Sequence, residues 1–386
     1  MVPDLIIVGG GPAGATAGLI AARAGARVRI LDRATFPRHK LCGDTINPGA
    51  LAVLRRLGTC AKVEASGLRV DGMVVTGEGG VRIAGRYPSG LAGRAILRRE
   101  LDWILLRAAL DAGCELDSGT VVRRAIVDDG RGVSRVRGVE VASRAGTARL
   151  RAPVVIAADG RRSTLAFGLG LARHPRSPRR WAVGGYFENV PVQTGAAVFG
   201  EMHVRRRHYV GVAPLPGGLT NVCLVKPSMG GDAALGDPAR LLQQTIAADA
   251  LLRDRLDGAT LVASPVVLGP LAVEATGRLA LDGLLVAGDA AGFVDPMTGD
   301  GLRFAIQGGE LAARAALRAL AQGWTGVQAA LAAERADAFR AKWRFNRALR
   351  AIVSSPAGVT IGAMGARFAP VVLRAIITQA GDCACA

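Results

Sequence analysis

Aromatic residues are scarce: nine Phe, four Trp and three Tyr make up 4% of the 386 residues. So few rings weaken any reading built on rows of base-stacking side chains. Cysteine is thin and scattered, at positions 42, 60, 114, 223, 383 and 385. No C-x-x-C pair occurs, so zinc-site spacing is missing and no metal is expected. Widely spaced thiols suit a reducing compartment, and a cytoplasmic chain is the expectation. No uncharged run reaches the ~20 residues that a membrane-spanning helix requires. The apolar stretch from Leu5 to Ala22 does not read as a secretory leader. Met1-Val2-Pro3-Asp4 offer no basic region, and glycines at 9, 10, 11 and 14 break the run.

Lysine is also rare. Only Lys40, Lys62, Lys226 and Lys342 occur, so nearly all of the formal +18 charge comes from arginine. A strongly basic chain first suggests nucleic acid or an anionic membrane. Here the arginines are spread along the chain rather than gathered into blocks. Arginine with abundant alanine and glycine is what GC-rich coding produces, and no nucleic-acid partner is expected. What abounds is glycine, at 52 residues, about twice the ordinary share of ~7%. That level predicts many tight turns and close backbone approaches. The chain is half hydrophobic and 21% charged, the range of a folded protein. Its length suits two intimate domains, or one domain with an inserted layer.

The N-terminal segment carries the first chemistry. Leu5-Ile6-Ile7-Val8 is a continuous apolar run, as in a parallel strand buried on both faces. Gly9-Gly10-Gly11-Pro12-Ala13-Gly14 follows and satisfies G-x-G-x-x-G. An alanine-rich helical stretch from Ala15 to Ala24 comes next, then Gly25, then a second strand, Val28-Arg29-Ile30-Leu31, closed by Asp32. Gly9 allows the turn, Gly11 lets the backbone approach a pyrophosphate, and Gly14 lets helix and strand pack closely. The helix N-terminus offers unpaired N–H groups and partial positive charge to phosphates. Asp32 is placed to accept hydrogen bonds from ribose hydroxyls. Strand, glycines, helix, strand and acid in this order predict a dinucleotide site.

Two later segments narrow the choice of dinucleotide. Leu284-Leu285-Val286-Ala287-Gly288-Asp289 is a buried strand ending in Gly-Asp. It runs into Pro296-Met297-Thr298-Gly299-Asp300-Gly301 and an amphipathic helix over about Leu302 to Leu320. Midway, Val154-Val155-Ile156-Ala157-Ala158-Asp159-Gly160-Arg161-Arg162-Ser163 is a strand ending in Asp-Gly-x-x-Ser. A third pattern, Phe36-Pro37-Arg38-His39-Lys40-Leu41-Cys42-Gly43-Asp44, follows Asp32, and Leu97-Arg98-Arg99-Glu100-Leu101-Asp102 opens a helix to about Ala112.

These motifs, in this order over residues 5 to 320, resemble the FAD-dependent superfamily that includes p-hydroxybenzoate hydroxylase. The Phe36–Asp44 and Pro296–Gly301 patterns are similar to its geranylgeranyl reductase-like branch. The resemblance implies FAD as cofactor, held by Gly9, Gly11, Pro12, Ala13, Gly14, Asp32, Arg33, Cys42, Gly43, Arg98, Val122, Asp159, Gly160, Gly288, Asp289, Pro296, Gly299, Gly301 and Leu302. It sets Asp289 on the ribityl or pyrophosphate part and Asp159-Gly160 near the nicotinamide approach. It aims the helix N-terminus at Gly299 to Leu302 toward the flavin N1–C2=O edge. An anion there gains ~0.3–1 kcal/mol from helix N–H groups and dipole. Cys42 and Asp300 are the candidate catalytic residues. With a single G-x-G-x-x-G, NAD(P)H is expected as electron donor without a nucleotide domain of its own.

The expected fold is α/β: an FAD-binding domain with a parallel sheet (1–70, 95–178 and 272–325), an inserted, mostly antiparallel substrate sheet (71–94 and 179–271) and a C-terminal helical cap (326–386). Strands are predicted at Gly72–Thr76, Val81–Ala84, Trp181–Asn189, Ala196–Val204, His208–Ala213 and Thr220–Val225. Tyr186, Phe199, Tyr209 and Pro214 are the candidate substrate contacts. In the branch's Y-x-W-x-F-P segment, Tyr209 and Pro214 match while Gly211 and Ala213 replace the two large rings. That loss of bulk points away from geranylgeranyl itself and toward a differently shaped apolar substrate, isoprenoid, polyketide or aromatic. The W-x-W-x-I-P segment of flavin halogenases is not present; Trp181 stands alone. Two activities stay open: reduction of a C=C bond, and hydroxylation of an aromatic or polyketide substrate with O₂. In the tail, Arg340, Lys342, Arg344, Arg347 and Arg350 interleave with Trp343, Phe345, Leu349 and Ile352, ahead of an apolar stretch from Val359 to Ile377. A helical cap is the favoured reading; peripheral contact with an anionic membrane is the other use open to such a helix.

Overall fold

The computed structural model describes residues 2–383 apart from 79–81, 89, 129–133, 145, 177–178, 192–196, 230, 279, 294–298 and 354–377. The continuous apolar runs become strands buried on both faces: Leu5–Val8, Val154–Ala157 and Leu284–Val286 have no exposed residue. With Val28–Asp32 and Glu115–Ser118 they form a parallel sheet in the order 284–286, 154–157, 5–8, 28–32, 115–118. The chain leaves the first strand toward one side of the sheet and later returns on its other side. The crevice at the carboxyl end of that strand is therefore a topological switch point, where open α/β sheets take their ligands.

The glycine and alanine content is used in helix packing. The helix Pro12–Arg23 lies against Arg98–Asp111 and the long helix Gly301–Gln322. Ala15, Ala17 and Ala21 of the first and Ala312, Ala313, Ala315 and Ala316 of the last are buried in one core. At Gly309 a Cβ would come 2.2 Å from the Ala13 carbonyl oxygen. The two helices touch backbone to backbone, which a larger side chain at 309 forbids. The first helix begins at Pro12, three residues earlier than expected, because proline's missing N–H costs nothing at that position.

The second large sheet has the order Thr260–Leu261, Arg180–Glu188, Thr220–Pro227, His208–Pro214, Phe199–Arg205, Gly72–Thr76, Arg82–Arg86, with Val266–Leu268 also on Arg180–Glu188. Its pairs are antiparallel except that of Phe199–Arg205 with Gly72–Thr76. The strand expected from Ala196 begins only at Phe199. One face of this sheet, with Val183, Val210, Val212, Val222 and Leu224, is covered by Leu242 and Leu252 of the helices Pro238–Ala248 and Ala250–Arg255. The strand pattern did not foresee these helices. The other face looks toward the parallel sheet.

The C-terminal helix Val327–Val353 packs on Gly301–Gln322 through Phe304, Phe339 and Trp343, with ring centroids 4.9 to 6.4 Å apart. It also reaches the Leu284–Val286 strand. Gln328 Nε2 donates to the carbonyls of Leu281 (3.1 Å) and Leu284 (2.8 Å), and Arg335 donates to that of Val286. Lys342 does not join a basic outer face as expected. It is buried and paired with Asp300 at 3.2 Å, because helical periodicity turns it inward with Phe339. Residues 378–383 return to the body: Gly49 N donates to Gly381 O (3.1 Å), Lys342 Nζ donates to Ala380 O (2.8 Å), and Arg303 pairs with Asp382. The apolar stretch from Val359 to Ile377 lies outside the described residues. Among the described residues no helix is long and apolar enough to cross a membrane.

Candidate functional site

Between the two large sheets lies a cavity of about 1190 Å³. It exceeds the ~300–1,000 Å³ usual for small-molecule sites. One wall comes from the carboxyl ends of the parallel strands. Gly9, at φ +102, turns the chain out of the first strand, and a Cβ there would sit 2.5 Å from the Ala158 carbonyl oxygen. A Cβ on Gly14 would lie 1.8 Å from the oxygen of Gly9. Gly14 therefore closes the helix onto the turn and does not itself line the cavity. Gly11 differs: a Cβ there meets only the end of the Arg38 side chain, at 3.3 Å, and the space beyond is the cavity. Gly9, Gly11, Pro12 and Ala13 line this wall.

Asp32 lines the cavity and also braces the glycine loop, a second task the sequence did not disclose. Its Oδ2 accepts from the amide of Gly10 and its Oδ1 from that of Ala34, both at 2.8 Å. Arg33, Val122, Asp159, Gly160, Gly288, Asp289, Gly299, Gly301 and Leu302 line the same space. Asp159 holds the turn behind it through Thr164 N (2.8 Å). At the start of Gly301–Gln322 no side chain among the described residues caps the helix. Its first amides thus have no internal acceptor where Gly301 and Leu302 meet the cavity. Pro296 lies outside the described residues.

Positive charge gathers at this end. Arg98 grips the buried Asp102 with Nε at 2.7 Å and Nη2 at 2.9 Å, and Arg38 joins it at 3.0 Å. Lys40, which the sequence reading left without a role, lines the cavity. Burial pushes its ammonium down to about 8, and the Arg98 charge adds to this. Arg161 is pushed down to about 10 by burial and by Arg162, and its Nε has no acceptor among the described residues. A glycine cradle, uncapped helix amides and an unpartnered guanidinium nitrogen beside a large cavity fit the diphosphate of a dinucleotide. The donor set thus suits FAD. No group of three or more His, Cys, Asp or Glu among the described residues could hold a metal.

The opposite wall is the inner face of the second sheet. Met73, Val75, Met202, Val204, Tyr209, Gly211, Ala213 and Val225 line it. A Cβ on Gly211 would meet nothing closer than 4.0 Å, so the position opens real space. Of the four candidate substrate contacts, Tyr186 and Tyr209 line the cavity, and Phe199 and Pro214 do not. Successive strand residues point to opposite faces, and the inward set is Gly200, Met202, Val204 on one strand and Tyr209, Gly211, Ala213 on the next. Phe199 and Pro214 have the other parity.

Cys42 and Gly43 lie where the two walls meet, and the Cys42 carbonyl accepts from Asn221 Nδ2 at 2.9 Å. Asp300, the other catalytic candidate, does not line the cavity. Its buried carboxylate accepts from Asn47 Nδ2 and Asn346 Nδ2, each at 2.9 Å, and pairs with Lys342, so it ties together three segments of chain. The sequence reading also missed Asp44, the residue after Cys42-Gly43. It is fully buried and accepts from Tyr186 Oη (2.9 Å), Asn221 Nδ2 (2.6 Å) and Arg98 N (3.1 Å). Burial pushes its carboxyl up to about 6.

Comparison with known proteins bears on this geometry. The profile of a family described as FAD binding domain matches residues 3–345. A menaquinone reductase of Mycolicibacterium smegmatis is 32% identical over 323 residues, covering 80% of this chain and 75% of the relative. A digeranylgeranylglycerophospholipid reductase of Methanopyrus kandleri is 30% identical over 326 residues, covering 82% and 77%. A solved flavin-dependent brominase superposes with a TM-score of 0.85 over 99% of this chain and 94% of its own, at 19% identity. That identity makes it a likeness of fold alone.

Proposed function

The chain belongs to the FAD-binding domain family as an FAD-dependent oxidoreductase of the geranylgeranyl reductase-like kind, and from that we propose that it saturates a C=C bond in a bulky isoprenoid or prenylated substrate. The observation that carries this reading is the division of one cavity into two chemistries. Its parallel-sheet wall offers glycine backbone and cations, while its second-sheet wall is apolar and opened at Gly211. The relatives named as reductases of menaquinone and of a digeranylgeranyl lipid support the substrate class.

In this reading FAD, when bound and reduced, supplies the hydride. The chain supplies everything else. Gly9, Gly11, Pro12 and Ala13 admit the diphosphate, with Lys40 and Arg161 offsetting its charge. Asp32 receives the ribose hydroxyls, and Asp289, with Gly288 beside it, orients the middle of the cofactor. Asp159-Gly160, Arg33 and Val122 flank it. Arg98, fixed by Asp102, keeps a positive charge beside Cys42-Gly43. The amides at Gly299, Gly301 and Leu302 favour negative charge on the ring. Met202, Val204 and Tyr209 keep water from the apolar substrate. NAD(P)H, docking in the same cavity, is the proposed donor.

The test is direct. The purified chain should retain FAD, and Asp289→Ala should purify with little of it. Reduced anaerobically, the loaded protein should convert menaquinone or a geranylgeranyl lipid into a product that stays two hydrogens heavier after air has reoxidised any quinol. A product that forms only with O₂ and carries an added oxygen would overturn the reductase reading. Full flavin content in Asp289→Ala would overturn the cofactor assignment.

A further inference from the structure

Adding hydrogen across C=C takes a proton as well as a hydride, and the second sheet places one proton path at the cavity wall. We infer that Tyr186 and Asp44 form a proton-delivery pair, Tyr186 giving its hydroxyl proton to substrate carbon and recovering one from the Asp44 carboxyl. The inference rests on the C=C-saturating reading of the cavity. Tyr186 lines the cavity, and Asp44 stands behind it, fully buried and out of reach of substrate. Tyr186 Oη and Asp44 Oδ2 lie 2.9 Å apart, the hydroxyl donating when the carboxyl is ionised and accepting when the carboxyl carries the proton.

The balance is simple. The Tyr186 O–H bond breaks as a C–H bond forms at one carbon, while the hydride and its electron pair go to the other. The Asp44 O–H bond breaks as the Tyr186 hydroxyl is restored. The proton leaves behind a carboxylate that the site already accommodates. Asn221 Nδ2 donates to Asp44 Oδ2 at 2.6 Å, Arg98 N donates to Oδ1 at 3.1 Å, and the Arg98 cation stands nearby. Between turnovers Asp44 regains its proton through the same hydroxyl, once product leaves and water enters.

Three other lining groups are placed differently. Burial pushes the Cys223 thiol up to about 12 and pushes the Tyr186 hydroxyl up as well, so it is the hydrogen bond to Asp44 that singles out Tyr186. Glu201 is paired with Arg255 at 2.6 Å and with His203 at 3.1 Å. Lys40 lies on the cationic side. Burial likewise explains how Asp44 holds a proton in mildly acid solution. The groups facing it are Tyr186, Asn221 and Cys223 from the strands, Arg98 from its helix, and Cys42 from its own loop. Of these, Tyr186, Asn221 and Arg98 pull its carboxyl down and burial overrides them.

The experiment uses FAD-loaded wild type, Tyr186→Phe and Asp44→Asn, each reduced with dithionite and mixed anaerobically with menaquinone or a geranylgeranyl lipid. Saturated product is counted by mass in a single turnover, after air has returned any quinol to the quinone. Tyr186→Phe should bind FAD as wild type does and saturate substrate ~10²–10⁴-fold more slowly, the usual weight of a positioned acid. Wild type should slow about tenfold per pH unit above pH ~6, and Asp44→Asn should be slow and flat with pH. Independently of turnover, the ¹³C carboxyl signal of Asp44 should titrate near pH 6 in wild type. It should titrate higher in Tyr186→Phe, which loses a bond that stabilises the anion. That titration is read on wild type even if a variant fails to fold. Tyr186→Phe working at the wild-type rate, or Asp44 titrating as an ordinary carboxyl, overturns the pair while leaving the reductase reading intact. Wild type that saturates neither probe overturns the reductase reading and the pair with it.

Discussion

Gly11 and Gly14 stand three residues apart in one loop, and alanine at each should fail in a different way. At Gly14 the new methyl would lie 1.8 Å from the Gly9 oxygen and 3.1 Å from Ile7 Cγ2. The first contact is with backbone, so the turn itself must move, at ~1–3 kcal/mol or more. At Gly11 the methyl would touch only the flexible end of Arg38. Its φ of −74 and ψ of −175 are open to alanine. Lower unfolded-state entropy favours alanine by ~0.4–1 kcal/mol, and the poorer helix cap offsets a similar amount. The cofactor-free Gly11→Ala protein should therefore melt within a few degrees of wild type, and Gly14→Ala several degrees lower. The Gly11 methyl enters the space assigned to the diphosphate, where overpacking of ~1–3 kcal/mol amounts to a 5- to 150-fold weaker Kd for FAD. Thermal melts without cofactor and flavin-fluorescence titrations measure the two effects separately. Unchanged FAD affinity in Gly11→Ala, or a loss of stability equal to that of Gly14→Ala, would refute the division of roles.

Three further outcomes follow from the charges. Asp102→Asn leaves Arg98 and Arg38 without their buried anion, and urea unfolding should show a loss of ~3–5 kcal/mol. Asp44 has a folded value of about 6 against 3.8 in the unfolded chain. The folded state binds that proton more tightly, so the contribution is complete below pH 4 and lost as pH rises through 6. Wild-type stability measured against Asp44→Asn should fall across that window by at most about 3 kcal/mol and then level off. A difference that stays flat with pH would refute it. Lys40 is poised near 8, so FAD affinity should weaken as pH rises from 7 to 9, and Lys40→Met should be weaker throughout and lack that slope.

What the sequence discloses and what it hides divide along a physical line. The glycine loop, the Gly288-Asp289 and Asp159-Gly160 turns and the strands before them are legible because backbone geometry and two-sided burial dictate residue type over a few neighbours. Asp44, Tyr186 and Asn221 are not legible as a group. They meet only because register sets Tyr186 opposite Asn221 across two strands while a loop 142 residues earlier brings in Asp44. Residue type alone also misleads about direction. Phe199 has the composition of a pocket wall and the parity of the far face. Asp300 neighbours two cavity glycines, but the start of its helix turns it toward Asn346 and Lys342. Lys342 reads as one of a basic series until Phe339 shows which side of the helix is inside.

The contacts from Gln328 and Arg335 to the carbonyls of Leu281, Leu284 and Val286 have a consequence for how copies of this protein behave toward one another. Leu284–Val286 is the outermost strand of its sheet, and an unpaired outer strand is a template onto which another chain can add. The side-chain amide and guanidinium stand in for the missing neighbour and use up its acceptors. The last long helix is thus a guard against self-assembly as well as a packing partner. Anything that lifts it from the body should leave that strand open to pairing with another copy.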